Sequence, residues 1–366
     1  MARSGVIYGA SGSYKSTAAK HFSHYIYEVT GKSTLLLSMD GGGWGPMEPE
    51  IQAGLIVPYR CGTEVPLPVL RKISQGYWPT DPKETDIAKT NFIKVDWSLY
   101  GGIIVEGLTS ISQAIMRNLA DKGIKTGEEA TTPFSQRIIV NGEITTEQFA
   151  GNSRGHYGFV QNAIYSMVMN FSSLPCHYVL FTALESRTEE DDRSTVYGPQ
   201  IAGKKATNNA PSWVGDCIHN QDYFYERQVQ TKDPVTGKPM DSVIMETHVR
   251  SYFVKHPDPS TGIMFPAKPR VTPEQFPAMM KVYPGGYFEA TPEHGFDFYL
   301  HQIDALSKSQ AAAVDQWRAA VDAKRKAMQP APAPAPALAS AGRPASVVLS
   351  SVGPAAVMPG TTPTTK

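Results

Sequence analysis

Lys15-Ser16-Thr17 closes a glycine-bearing turn that begins at Gly9. The whole stretch reads Gly9-Ala10-Ser11-Gly12-Ser13-Tyr14-Lys15-Ser16-Thr17, the form G-x-x-x-x-G-K-S with Tyr14 in the place of the second glycine. A short apolar run, Val6-Ile7-Tyr8, precedes it, and a helix-compatible segment from Ala18 to about Val29 follows. A turn of this kind leaves backbone N–H groups converging on a helix N-terminus, where an anion gains hydrogen bonds and the positive end of the helix dipole. Lys15 adds a point charge suited to the outer oxygens of a phosphate chain. The Ser16 hydroxyl suits Mg²⁺, a hard cation that takes oxygen ligands. The bland reading is a plain strand-to-helix turn with a solvated lysine.

Two carboxylates end apolar runs further on. Gly102-Ile103-Ile104-Val105-Glu106 is a continuous buried-strand pattern closed by an acid, the arrangement in which a carboxylate reaches a metal shell. The competing reading is a solvated acid at a strand end. Leu35-Leu36-Leu37-Ser38-Met39-Asp40 is a second such run, ending before Gly41-Gly42-Gly43. Ligands in parallel α/β sheets sit at this carboxyl edge. Asp40 is therefore either a base or a structural acid at the glycine turn.

The elements that must position these groups read as α/β, with continuous apolar strands buried on both faces of a mostly parallel sheet. Leu55–Tyr59 reads as a short strand, Val65–Ser74 as a short helix and Gly76–Thr90 as a surface loop. Ile111–Lys122 reads as an amphipathic helix. Arg137–Val140 and Glu143–Thr146 flank Asn141-Gly142, a strong hairpin signal. Tyr157–Phe171 is a further helix, and His177–Ala183 a buried strand leading into Glu185 and Arg187. Thr188–Asn209 reads as a polar loop containing Arg193, Lys204 and Lys205. Tyr223–Gln230 and Ser242–Val254 form a hairpin added to the sheet edge. Pro266–Pro284 reads as irregular and His301–Met328 as helix. The organisation expected is a core over 1–220 with a hairpin insertion at about 134–149, a β-hairpin and helical extension over 221–328, and a disordered Ala/Pro-rich tail over 329–366.

The chain has 366 residues, enough for a large core. Lys+Arg and Asp+Glu both number 34, so no general basic excess marks a polyanion binder, and any nucleic-acid contact must come from a local patch or from assembly. Cysteine is sparse, at Cys61, Cys176 and Cys217, without metal-ligand spacing, which fits a reducing cytosol. No signal-peptide pattern or membrane-length apolar run is present, so a cytoplasmic protein is expected. His21 and His24 share a helix face with no cysteine or acid to complete a metal site. Asp222, Asp233 and Asp241 read as ordinary polar positions near a turn rather than a nuclease cluster.

Taken in order, Gly9–Thr17, Leu35–Gly42, Ile103–Ser110, Tyr178–Ala183 and Gly198-Pro199 to Gly203-Lys204 resemble the phage-encoded RecA-like P-loop ATPases of the single-strand annealing and recombination group. The resemblance covers roughly residues 4–220. It implies a RecA-like core, ATP with Mg²⁺, single-stranded DNA as partner and self-association into a ring or filament. A single-strand DNA-binding protein is a further partner it brings into view, and the infected bacterial cytoplasm is the location implied. An aromatic before the lysine is also similar to RepA-like hexameric helicases. By this resemblance Lys15 and Ser16 grip phosphates and metal, and Glu106 is the Walker B acid. Asp40 would orient the attacking water. Thr182–Glu185 is the strand end that senses the γ-phosphate, which puts Glu185 among the catalytic candidates. Lys204, Lys205, Arg187 and Arg193 compete as the charge acting across a subunit interface. The Arg137–Thr146 hairpin sits where a DNA loop would lie, or is a plain surface hairpin. The rival functions are a DNA-packaging motor, a P-loop small-molecule kinase and a nucleotide-binding module without turnover.

Overall fold

A computed structural model describes residues 2–39, 44–60, 67–80, 89–121, 134–149, 156–189, 195–202, 204–232 and 239–328. In chain order the strands begin with β1 (Arg3–Gly9), β2 (Ser33–Ser38), β3 (Ile56–Arg60), β4 (Tyr77–Pro79), β5 (Asn91–Lys94) and β6 (Tyr100–Glu106). They continue with β7 (Phe134–Val140), β8 (Glu143–Phe149), β9 (Tyr178–Glu189), β10 (Thr195–Pro199), β11 (Asp216–Lys232) and β12 (Pro239–Tyr252). The last are β13 (His256–Pro257), β14 (Met264–Phe265) and β15 (Tyr287–Ala290). The helices are α1 (Lys15–Thr30), α2 (Glu48–Gln52), α3 (Leu67–Ser74), α4 (Leu108–Asp121), α5 (His156–Ser172), α6 (Lys204–Trp213), α7 (Phe276–Val282) and α8 (Phe296–Met328).

The main sheet runs β15-β12-β11-β1-β9-β6-β2-β3, with β10 paired to β9. From β11 through β3 neighbouring strands are parallel; β12, β15 and β10 join antiparallel. This is the α/β class read from the apolar strand runs, with a mostly parallel centre and antiparallel edge strands. Strand alternation sorts the core into two faces. Ile7, Leu36, Ile104, Leu180 and Ile218 meet Ala18, Phe22 and Ile26 of α1 and Tyr299 and Leu300 of α8. Tyr8, Leu37, Val105, Phe181 and Cys217 meet α3, α4, α5 and α6. Fully burying one such aromatic or aliphatic side chain is worth about 1.5–3 kcal/mol, so α1 is anchored firmly behind the turn it begins from. Gly101 and Gly102 let α1 lie close to β6, since a Cβ there would meet Thr30, Ile26 and Phe22.

Several expectations change. The edge hairpin forms, but β11 begins earlier than Tyr223: its first residues, Asp216–Asn220, lie parallel against β1 within the sheet. Its later residues pair with β12, as the hairpin reading required. The sequence of that inner segment is polar, which hides a buried strand. The interior satisfies it with hydrogen bonds, such as Tyr178 Oη and Tyr299 Oη donating to Asp216 at 2.7 and 3.0 Å. Thr188–Asn209 is not all loop. Thr195–Pro199 pairs with the outer half of β9, and α6 buries Ala206 and Ala210 one turn apart. Within Gly76–Thr90, β4 pairs with β5. Pro266–Pro284 contains α7, where Pro277 sits in the first turn and its missing N–H costs nothing. The β7–β8 hairpin forms as expected, with Asn141 and Gly142 both at positive φ (52° and 83°). It belongs to a separate sheet, β4-β5-β7-β8.

By internal contacts the chain divides into Met1–Ala312 and Ala313–Lys366. The described part of the second unit is the last portion of α8, where Arg318 and Asp315 pair at 3.8 Å on an exposed face. The tail reading for 329–366 lies outside the described residues. Among the described residues no helix is long and apolar enough to cross a membrane.

Candidate nucleotide site

The glycine-bearing turn sits at the carboxyl end of β1, between β9 and β11. Gly9 must be glycine, because a Cβ there would run into the Asn220 carbonyl and the Ser13 hydroxyl. Ala10, Ser11 and Gly12 are exposed, while Ser13 is buried and its Oγ donates to the Ala10 carbonyl at 2.8 Å. β11 braces the turn from the side. Asn220 Nδ2 donates to the Ser13 carbonyl at 2.8 Å, and Ser251 Oγ donates to Asn220 Oδ1 at 2.9 Å. Tyr14 takes φ 57°, ψ 24°, the left-handed conformation that explains why glycine suits this place. Tyr14 adopts it as the residue capping α1, and its carbonyl accepts from the Ala18 amide at 2.9 Å.

Among the described residues no side-chain hydrogen bond caps α1 and its first turn holds no acid, so the positive end of its dipole suits an anion there. Lys15 Nζ curls over the turn and donates to the Gly9 carbonyl at 3.1 Å, to the Ala10 carbonyl, and to Ser13 Oγ at 3.3 Å. Thr17 is half-buried in the same helical turn.

On the α1 face of the sheet, Ser16 Oγ donates to Glu106 Oε1 at 2.8 Å and Ser38 Oγ donates to Glu106 Oε2 at 2.9 Å. Glu106 is 3% exposed, so the two hydroxyls replace the water its carboxylate has lost. The strand order brings these groups together: Ser38 and Glu106 are register partners on β2 and β6, and Ser16 opens α1 above them. A hydroxyl and a carboxylate from separate elements, all oxygen, fit a Mg²⁺ ion that keeps most of its waters. Among the described residues no group of three His, Cys, Asp or Glu side chains forms a metal cluster of its own. Gly107 N donates to Thr182 Oγ1 at 3.0 Å, tying the end of β6 to β9. Asp40 lies outside the described residues.

On the opposite face, Glu185 Oε2 and His219 Nε2 are 3.0 Å apart, and His219 Nδ1 lies 3.1 Å from His256 Nε2. His219 and His256 are buried, at 1% and 6% exposure. Burial pushes the His219 pKa down; Glu185 and Asp258 oppose the shift, and Lys15 adds to it. Burial and the facing His219 bring His256 down to about 4. Partial enclosure raises the pKa of the exposed Asp222 carboxyl, with Lys15 pulling it back and Glu185 adding to it. Lys15, Glu185, His219 and Asp222 therefore share one electrostatic neighbourhood at the mouth of the turn.

The candidates for a charge acting across an interface are scattered. Arg187 lies in β9 opposite Tyr197 of β10, Lys204 opens α6, and Lys205 is exposed on α6. Lys205 takes no part in the hydrogen bonds of either cluster, and Arg193 lies outside the described residues. His21 and His24 behave as ordinary polar residues, His21 Nε2 against the Pro292 carbonyl and His24 Nε2 against Glu50 Oε1 at 3.0 Å.

Ser38, Asn220, His219 and His256 were not singled out from the sequence. Ser38 had a usable signal, a hydroxyl breaking an apolar strand just before its acid. The other three carried none, since each acts through a partner distant in the chain.

No family model matches this chain, and no curated protein matches it. Among solved structures, a KaiC-like protein from the hyperthermophilic archaeon Pyrococcus horikoshii OT3 matches with 10% identity and a TM-score of 0.31, over 72% of this chain and 89% of that one. A superposition that loose carries no functional argument, and the reading that follows rests on the site.

Proposed function

We propose that this chain binds ATP with Mg²⁺ at the β1–α1 turn and hydrolyses it, and that nucleotide state governs its assembly on single-stranded DNA. The observation that carries the first part is the Ser16–Glu106–Ser38 cluster beside an uncapped helix N-terminus and the Lys15 ammonium. Lys15 exchanges its carbonyl partners for the outer phosphates. Ser16 and Glu106 hold the metal, which supplies charge neutralisation on the phosphates when bound. Phosphoryl transfer to water needs placement and charge compensation more than covalent chemistry, and these groups provide both. Asp40 is the candidate to orient the attacking water, and Glu185 stands in β9, one residue past the level of Gly9. The transition-state charge also calls for a further cation, a contribution worth about 10³–10⁵-fold when an arginine finger supplies it. Lys204, Lys205, Arg187 or Arg193 of a neighbouring copy would fill that role, which is why turnover is tied here to self-association.

The DNA part rests on the ordered motifs and their resemblance to RecA-like ATPases of recombination. The β7–β8 hairpin, exposed over residues 141–145, is the candidate DNA contact. The test is steady-state ATP hydrolysis with and without single-stranded DNA. Stimulation by DNA is expected. ATP turnover indifferent to DNA, with the phosphoryl group passed to a metabolite instead of water, would replace this reading by that of a small-molecule kinase.

A further inference from the structure

His219 and His256 link three hydrogen-bond contacts into one chain. It begins at the Val254 carbonyl, 3.3 Å from His256 Nδ1. It passes through the two imidazoles, 3.1 Å apart, and ends at Glu185 Oε2, 3.0 Å from His219 Nε2. A carbonyl and an ionised carboxylate both only accept, so both ends of the chain demand a donor. Each neutral imidazole brings one N–H. Three contacts need three protons, and the two rings supply two. If His256 gives its proton to Val254 and His219 gives its own to His256, then His219 Nε2 faces the carboxylate with a lone pair.

We infer that the Glu185–His219–His256 chain takes up one proton beyond those of its two neutral rings, held at the Glu185–His219 contact, and that triphosphate bound at the adjoining turn strengthens this uptake. The second half rests on the nucleotide-binding reading above; the first does not. The proton belongs to the pair rather than to either residue. Burial of His219 disfavours a free imidazolium, so the carboxylate shares the proton. The groups facing the pair come from several elements. Tyr8 of β1 has its ring 4.8 Å from that of His219, and Phe265 of β14 stacks on His219 at 3.8 Å. Tyr252 of β12 stacks on His256 at 3.6 Å. The charged neighbours are Lys15, Asp258 and Asp222. Leu184, the residue before Glu185, is level with Gly9, so this carboxylate lies beside the place where phosphate charge would arrive. A negative ligand next to an acid favours the acid's protonated form.

Two measurements test this on the full chain. The first is ¹⁵N spectroscopy of histidine-labelled protein without nucleotide, from about pH 5 to about pH 9, with His219→Gln and His256→Gln spectra for assignment. The expectation is that His256 keeps its proton on Nδ1 while His219 Nε2 loses its proton as pH rises. In Glu185→Gln the amide N–H₂ can donate to His219 Nε2, so that nitrogen should stay bare throughout. A His219 that stays Nε2-protonated and neutral across the range, with His256 Nδ1 bare, overturns the proposal. The second is calorimetry of the non-hydrolysable analogue AMP-PNP with Mg²⁺ in two buffers of different ionisation enthalpy. Wild type should take up a net fraction of a proton, at most about half at the apparent pKa of the free pair and larger just above it, and Glu185→Gln none. Equal uptake by both proteins overturns the linkage. An analogue that fails to bind condemns the nucleotide site instead, and the spectroscopy still decides the proton count.

Discussion

Two carboxylates flank the β1–α1 turn on opposite faces of one sheet edge, and they are held in different ways. Glu106 accepts from two hydroxyls, one per oxygen. Both donors are serine hydroxyls, which do not titrate near neutral pH. Glu185 meets an imidazole in a chain whose protons do not suffice. The first arrangement joins a carboxylate to hydroxyls alone. The second joins a carboxylate to an imidazole, where the proton proposed above would be shared. One edge of a sheet thus carries an acid held by hydroxyls and an acid held by a ring nitrogen.

The largest effect should come from the group that serves both sides. Lys15→Ala should cut ATP turnover by at least about 10²-fold, the scale of losing a charge aimed at the transition state. Thermal melting should barely move, because the side chain lies at the turn rather than in the core. Hydrolysis at the wild-type rate would show that the site is misplaced.

Ser16→Ala sharpens the hydroxyl-held side. It removes the Ser16 hydrogen bond to the buried Glu106, a loss of about 1–3 kcal/mol in urea unfolding. The same variant should need more Mg²⁺ for half-maximal turnover. If neither stability nor Mg²⁺ dependence changes, Ser16 and Glu106 do not form the metal-holding pair proposed here.

Acid should separate the two sides. The folded state lowers the His256 pKa from 6.5 to about 4, so between those values the unfolded chain binds more protons than the folded one. Stability from this group is complete above about 6.5 and is lost as pH falls toward about 4. The urea midpoint should fall across that window in wild type, and less steeply in His256→Gln. An identical slope in both proteins would remove the imidazole chain as its source.

The smallest effect concerns Tyr14. Replacement by valine, which tolerates positive φ poorly, should lower stability by about 1 kcal/mol relative to wild type. Tyr14→Gly should be near neutral, since relief at φ 57° is offset by the greater freedom of the unfolded chain. Equal stability of the valine and glycine variants would mean that the turn relaxes away from this conformation.

The sequence was informative wherever function is contiguous. Gly9–Thr17 is a local object: a turn, a helix start and a cation within nine residues, whose physics needs no distant partner. The apolar runs that form β2 and β6 were legible for a related reason, since strands buried on both faces read as unbroken hydrophobic stretches. Asn141-Gly142 declared its hairpin because few residues accept positive φ in succession. Tertiary structure alone decided the rest. Strand order set Ser38 beside Glu106, and a polar segment, Asp216–Asn220, became an interior strand because its neighbours answer its hydrogen bonds. Glu185, His219 and His256 lie on three strands, β9, β11 and β13, and a proton shared across such a gap leaves no periodicity in the chain.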